Sequence, residues 1–367
     1  MNPLKALWEE HGQAAWLDYI ERDLLTGGGL TRLVQEDGVR GVTSNPSIFK
    51  AAITGSESYD ADIDAFLDAH PDAPTTELYE ALAIKDIQMA ADVLLPVYEE
   101  SIGTDGFVSL EVSPHLAHDT PGTEAEARRL WKAVDRPNLM IKVPATAAGI
   151  PAIENLIAAG IHVNATLMFS LADYEAVATA FLRGLERRDD PSGVASVASF
   201  FVSRVDSKID AALEAIGTDE ALGLRGRAAI ANSRLAYRRF LELFHAPTFA
   251  EMVARGAQMQ RPLWASTSTK NPDYPDVLYV EELIGSETVN TLPTATLEAY
   301  RDHGRPQSRI AEAFDEDEAV MARLGALGID LDAVTTQLQV DGVASFADAF
   351  DELMAALEAK RATRTGV

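Results

Sequence analysis

The chain has 367 residues, 47% of them hydrophobic and 24% charged, with a formal net charge of −26. This balance provides for a large core but argues against nucleic acid or an anionic membrane as partner, since both recognise a basic surface. With no cysteine, disulfides, thiolate nucleophiles and Cys-ligated metals are excluded, and the longest apolar runs, such as Val194–Val202, fall short of the about 20 residues a membrane helix needs.

In chain order, Met1–Trp16 carries Glu9 and Glu10 without a basic flank or apolar block. The expectation is therefore no signal peptide and a cytoplasmic location. Eight β-like segments follow: Ala15–Tyr19, Gly41–Asn45, Gly106–Ser113, Leu139–Pro144, His162–Phe169, Val194–Val202, Pro262–Ser266 and Thr288–Leu292. Most are separated by stretches of helical period. In Ser170–Arg187, for example, apolar residues recur at Leu171, Tyr174, Val177, Ala178, Phe181 and Leu185. Strands alternating with helices predict a parallel sheet, and eight such units predict a closed (β/α)8 TIM barrel. Lys50–Thr104 exceeds the minimal unit and reads as two helices, Tyr59–Ala69 and Thr76–Ser101. From about Arg305 the tail reads as two or three amphipathic helices. No strong linker interrupts the chain, so residues 1–367 are expected to form one domain.

The strands alternate between apolar and polar positions. Val108, Leu110 and Val112 oppose Ser109, Glu111 and Ser113; Ile141 and Val143 oppose Lys142; Val163, Ala165 and Leu167 oppose Asn164 and Thr166. Such a pattern gives an apolar face to the outer helices and places polar groups on the barrel axis, where they are costly unless bonded or used. Their place near the C-terminal strand ends is where barrel enzymes build active sites.

Lys142 stands inside the apolar strand Leu139–Pro144 and is one of only eight lysines. Desolvation lowers the pKa of a buried amine from about 10.4 and prepares it to attack a ketone. A structural lysine paired with a core carboxylate is the alternative reading. Glu111, on the neighbouring strand, suits either a structural pair or a proton relay through water. Asp18 ends the first strand, and two carboxylates in one dry pocket can divide acid and base roles. Thr43 and Asn45, in Thr43-Ser-Asn-Pro-Ser47, offer contacts for sugar hydroxyls, as do Asn164 and Thr166, although Asn-Pro is also an ordinary turn signal. Arg204 and Lys270 lie just past strand ends, on the side where barrel phosphate sites form.

Seven motifs, Asp18, Thr43-Ser-Asn-Pro-Ser-Ile48, Ser109-Leu-Glu-Val112, Met140-Ile-Lys-Val-Pro-Ala145, Val163-Asn-Ala-Thr-Leu-Met-Phe-Ser170, Phe201-Val-Ser-Arg204 and Trp264-Ala-Ser266, stand in the order and spacing of the transaldolases. The chain resembles that family over nearly its whole length. Its length and the stretch Ala265-Ser-Thr-Ser-Thr-Lys-Asn-Pro272 resemble the bacterial subfamily also found fused to glucose-6-phosphate isomerase. The resemblance implies Schiff-base transfer of a dihydroxyacetone unit between sugar phosphates, with neither metal nor organic cofactor. It gives Lys142 the Schiff base, Glu111 and Thr166 a catalytic water, and Asp18 the hydroxyl proton. It gives Thr43, Asn45 and Asn164 the donor hydroxyls, Ser199 and Phe201 the pocket shape, and Arg204 and Ser266 the phosphate. One departure stands out. Better-known members carry a second arginine where this chain has Ser268, and the phosphate role passes to Lys270, a point charge rather than a bidentate fork. Related small aldolases carry glutamine at the position of Glu111, so this residue favours transfer over simple cleavage. A Schiff-base aldolase and a silent sugar-phosphate-binding protein are the competing readings, and a homodimer is left open.

Other signals carry less. Gly27-Gly-Gly29 lacks the spacing of a phosphate loop and reads as a turn before a helix. His115 and His118 fall short of a zinc ligand set. Asp315–Glu318 reads as a solvated helix start.

Overall fold

The computed structural model describes residues 2–365. Its centre is a closed barrel of eight parallel strands in the order β1 to β8. The strands are β1 (Gln13–Leu17), β2 (Gly41–Val42), β3 (Phe107–Glu111), β4 (Leu139–Pro144), β5 (Val163–Met168), β6 (Ser196–Phe201), β7 (Gln260–Ala265) and β8 (Thr288–Leu292). All eight expected segments contain a strand. β2 keeps only two residues because the backbone leaves the sheet at Thr43 and enters a helix at Pro46, capped by the Asn45 side chain. β1 begins two residues early and ends at Leu17, so Asp18 sits just beyond the sheet at its C-terminal rim.

Helices flank the barrel close to the expected places. Leu171–Glu186 starts with a capping box in which Ser170 accepts from the Asp173 amide and Asp173 accepts in return from the Ser170 amide. The second connection holds Pro46–Gly55, Asp60–Ala69 and Thr75–Glu100. The tail resolves into Phe314–Ala326 and one long helix, Leu331–Thr365. The acidic run starts a helix with Asp315, Glu316 and Glu318 exposed, as expected, and only Asp317 departs. Asp317 is buried, lies 3.8 Å from Arg234, and is pushed up to about 6 by burial. It faces the outer helix Ala228–Phe244, which carries Arg234, rather than solvent.

The strand alternation becomes an axial layer. Asn164 Nδ2 donates to Ser109 Oγ at 3.0 Å, and Ser199 Oγ donates to Asn164 Oδ1 at 2.7 Å, joining β3, β5 and β6 with no polar group left over among these three. Buried polar atoms satisfied in this way fix the barrel geometry beneath the rim.

Gly41 is one of the positions where packing leaves no room for a side chain. A Cβ there would lie 2.4 Å from the ring of Trp16, which is fully buried and bonded through Nε1 to Asp105. The indole cannot retreat without breaking that bond. Gly41→Ala is expected to cost about 1–3 kcal/mol through overpacking, seen as a lower urea midpoint with an unchanged slope.

Candidate active site

The parallel register sets the two central groups side by side. Glu111 of β3 pairs directly with Lys142 of β4, and Lys142 pairs in turn with Asn164 of β5. Lys142 Nζ lies 3.5 Å from Glu111 Oε2 and donates to the Ser44 carbonyl at 3.2 Å. Both side chains are buried, and neither Glu111 oxygen has a hydrogen-bond partner. Burial pushes the Glu111 carboxyl up to about 7, against the attraction of Lys142. Burial outweighs the single attraction of the amine, so a proton moves on and off this carboxyl near neutrality.

A cavity of about 190 Å³ opens beside the amine at the C-terminal rim. Asp18, Thr43, Asn45, Lys142, Thr166, Ser199, Phe201, Arg204, Ser266 and Lys270 all line it. Thus one strand end after another contributes a wall: β1 gives Asp18, β2 the segment Thr43 to Asn45, β4 the amine, and β6 Ser199 and Phe201. Asp18 Oδ1 accepts from Thr43 Oγ1 at 2.6 Å, and Thr43 Oγ1 is 2.7 Å from Thr291 Oγ1. Burial raises the Asp18 pKa, opposed by Lys142, the Thr43 bond, Arg204 and Lys270. Thr166 Oγ1 is buried without a partner, an orphan hydroxyl facing the same cavity. Asn45 has two attachments, because its Oδ1 also caps the Pro46–Gly55 helix through the Ile48 amide at 3.0 Å.

The cations gather on the β6–β7 side. Arg204 is the second residue of the helix Ser203–Ile216, whose positive dipole end points the same way. Its guanidinium lies 5.3 Å from the Phe201 ring centroid, and burial depresses its pKa against the pull of Asp18. Ser266 follows β7 with φ of +57°, a left-handed backbone that turns its Oγ to within 3.0 Å of Ser203 Oγ. Lys270 is exposed and donates to Ser268 Oγ at 2.8 Å. The cavity therefore brings together the Lys142 amine, the Asp18 carboxyl and the cations Arg204 and Lys270, with Glu111 beside the amine. That set of groups fits a small polyhydroxylated anion carrying a carbonyl.

A second cavity, about 360 Å³, lies behind β3 against the Thr75–Glu100 helix. Its arginine, Arg129, is held by both oxygens of Glu80 at 2.6 Å, so no cation there is left for an anion.

Residues 15–357 match the sequence model of the family Transaldolase/Fructose-6-phosphate aldolase. The chain belongs to that family. It is 52% identical over 348 residues to a protein named Transaldolase from Thiobacillus denitrificans, covering 94% of this chain and 96% of that one. It is 48% identical over 362 residues to the Transaldolase of Mycolicibacterium smegmatis, covering 97% of each. A third relative of that name, from Parafrankia, is 51% identical over 94% of each chain. The chain is an enzyme, a transferase, on a family scaffold whose seven motifs all lie on the barrel.

Not every residue singled out by those motifs reaches the cavity. Asn164 is fully buried below the floor, between Ser109 and Ser199, and Glu111 touches the cavity only through Lys142. Conversely, Thr291, Pro293 and Phe346 line the cavity, and the motifs missed all three. Thr291 could have been found from its place at the end of the eighth strand. Phe346 had no local signal, since it arrives from the C-terminal helix. His115, one of the two discounted histidines, meets Asp351 of that same helix at 2.7 Å. No helix among the described residues is long and apolar enough to cross a membrane.

Proposed function

We propose that this enzyme is a transaldolase that moves a dihydroxyacetone unit from fructose 6-phosphate or sedoheptulose 7-phosphate to an aldose phosphate, within the non-oxidative pentose phosphate pathway. The observation that carries this reading is the Lys142 amine, 3.5 Å from Glu111 and sharing one cavity with Asp18, Arg204 and Lys270.

Lys142 attacks the ketose carbonyl and passes a proton to Glu111. The carbinolamine then loses water, with Glu111 and the Thr166 hydroxyl handling its protons, and an iminium ion remains. Asp18 takes the proton of the C4 hydroxyl, the C3–C4 bond breaks, and its electron pair flows into the iminium to give an enamine. The leaving aldose phosphate departs, an acceptor aldehyde takes its place, and Asp18 returns its proton as the new bond forms. Arg204, Ser266 and Lys270 hold the phosphate at the far end. Thr43, Asn45 and Asn164 order the hydroxyl contacts and the floor beneath them, and Ser199 and Phe201 shape the wall. Remote phosphate binding of this kind positions the carbonyl within attack distance.

Sodium borohydride added with fructose 6-phosphate is expected to fix one reduced three-carbon unit on Lys142, identified by peptide mass. An adduct on any of the other seven lysines defeats the assignment. The family name also covers fructose 6-phosphate aldolases. Dihydroxyacetone release without an acceptor, measured against transfer to erythrose 4-phosphate, separates the two activities, and transfer is expected to dominate.

A further inference from the structure

The Leu331–Thr365 helix crosses the mouth of the barrel and is fastened to its rim. Gln339 Nε2 donates to the carbonyls of Ala145 and Leu167, each at 3.1 Å. The Leu167 carbonyl is free for this because the β5 register breaks between Ala165 and Met168, and Leu167 takes a φ of +61°. A left-handed leucine is a strained backbone, and here it turns a barrel carbonyl toward the crossing helix. One turn along, Gly342 lets the helix come close. A Cβ on Gly342 would stand 3.0 Å from Leu167 Cδ2 and 3.8 Å from Arg204 Nη1. The next residue on that face is Phe346. It is 4% exposed, lines the cavity, and holds its ring centroid 5.6 Å from Lys142 Nζ. Phe350 follows at the next turn and packs edge-on against Tyr79 and His115. Residues 339, 342, 346 and 350 form a single stripe at helical spacing, and that whole stripe faces the rim.

We propose that Phe346 determines whether the bound three-carbon unit is transferred or released. This inference rests on the Schiff-base reading above. Between donor cleavage and acceptor addition, the enamine on Lys142 faces two fates. It can add to an aldehyde, forming a carbon–carbon bond. Alternatively, a proton can reach the enamine carbon, water can add to the resulting C=N bond, and the C–N bond can break to yield dihydroxyacetone and the free amine. The second route needs water at the nitrogen-bearing carbon before any acceptor has bonded; the first needs it only afterwards, to release the new ketose, so the partition is set while the enamine stands. Phe346 occupies the side of the cavity next to that nitrogen, so its ring stands where the water would approach. The same ring face attracts the cationic iminium before cleavage and after acceptor addition, while around the neutral enamine between them the ring acts by keeping water out. The Gln339 bonds and the Gly342 contact hold the ring in place, and the helix therefore acts through this one side chain.

Full-length Phe346→Ala, Phe346→Leu and Phe346→Tyr variants test this with fructose 6-phosphate, with and without erythrose 4-phosphate. The readout is the ratio of dihydroxyacetone released to unit transferred. Phe346→Ala is expected to raise the ratio by about tenfold or more, Phe346→Leu by less, and Phe346→Tyr to remain near the wild type. Borohydride trapping at Lys142 is run alongside on each variant. A ratio within twofold of wild type in both Phe346→Ala and Phe346→Leu overturns the proposal, even if both activities fall together, because a merely structural residue lowers them in proportion. If Phe346→Ala does not fold, the Phe346→Leu ratio decides. If the wild type itself is not trapped at Lys142, the parent reading has failed instead, and this inference goes with it.

Discussion

Lys142→Met is expected to lower kcat by at least about 10⁴-fold while leaving a folded protein with a thermal midpoint close to wild type. The size follows from removing a covalent nucleophile, after which binding and polarisation alone remain. Methionine matches the lysine stem in length and suits a site already walled by apolar strand residues. The substitution also leaves Glu111 without its cation, but a carboxyl already pushed up to about 7 by burial escapes the cost by staying protonated. Sugar-phosphate affinity should survive, since Arg204, Ser266 and Lys270, which also line the cavity, are left unchanged. Steady-state transfer rates, a thermal melt and fructose 6-phosphate binding by calorimetry check the three parts separately. Residual activity above a hundredth of wild type removes Lys142 from its role, and a lost fold would make it the structural lysine of the alternative reading.

Much of this site was visible in the strands, for a geometric reason. A period-two alternation assigns each residue to the axis or the outer wall, and strand ends in a barrel converge on one rim. Lys142 and Glu111 could thus be placed on adjacent strands from sequence, and the register then sets them opposite one another. The same reasoning failed where the chain leaves the sheet. Asn164 carries the same pattern as Lys142, yet a layer of hydrogen bonds absorbs it below the cavity floor. Asp317 reads as solvated because its acidic neighbours are, while its own side chain faces Arg234. Phe346 was invisible because the Leu331–Thr365 helix packs on several elements at once, including β5 and the Pro46–Gly55 helix. The helix buries one face at helical spacing, as at Leu338, Phe346, Leu353 and Leu357, and that period tells that a residue is covered without telling what covers it. Its contact with Lys142 joins residues two hundred positions apart, and no local pattern encodes that.

The strain in this site is concentrated on the rim rather than in the floor. Leu167 and Ser266 both take left-handed φ values; Ser266 lines the cavity, and Leu167 directly follows Thr166, which does. Each re-aims one group: the Leu167 carbonyl toward Gln339 and the Ser266 hydroxyl toward Ser203. Non-glycine residues hold such angles only when their surroundings fix them. The satisfied axial layer beneath supplies that rigidity, so the mouth can be shaped without loosening the barrel.

Glu111→Gln is expected to lower kcat by roughly 10²–10⁴-fold and to remove the acid limb from the pH profile of kcat/KM. In the free enzyme Glu111 stands 3.5 Å from the Lys142 amine, whose attraction opposes the larger effect of burial on the carboxyl. Attack on the carbonyl requires the amine to surrender a proton, and Glu111 is the group placed to receive it. The productive pair therefore carries one proton in all. As pH falls through about 7 the Glu111 carboxylate takes up a proton, the second on the pair; the amine then has no acceptor and kcat/KM drops. Glutamine keeps the shape but cannot take the proton at any pH, so the rate is low throughout and the limb near 7 disappears. Asp18 is the control, because burial raises its pKa too. Asp18→Asn should depress carbon–carbon cleavage yet preserve reductive trapping of a ketose at Lys142, since iminium formation precedes the step Asp18 serves. Should the limb persist in Glu111→Gln and vanish in Asp18→Asn, the titrating group is Asp18, and Glu111 returns to the role of a structural partner for the lysine.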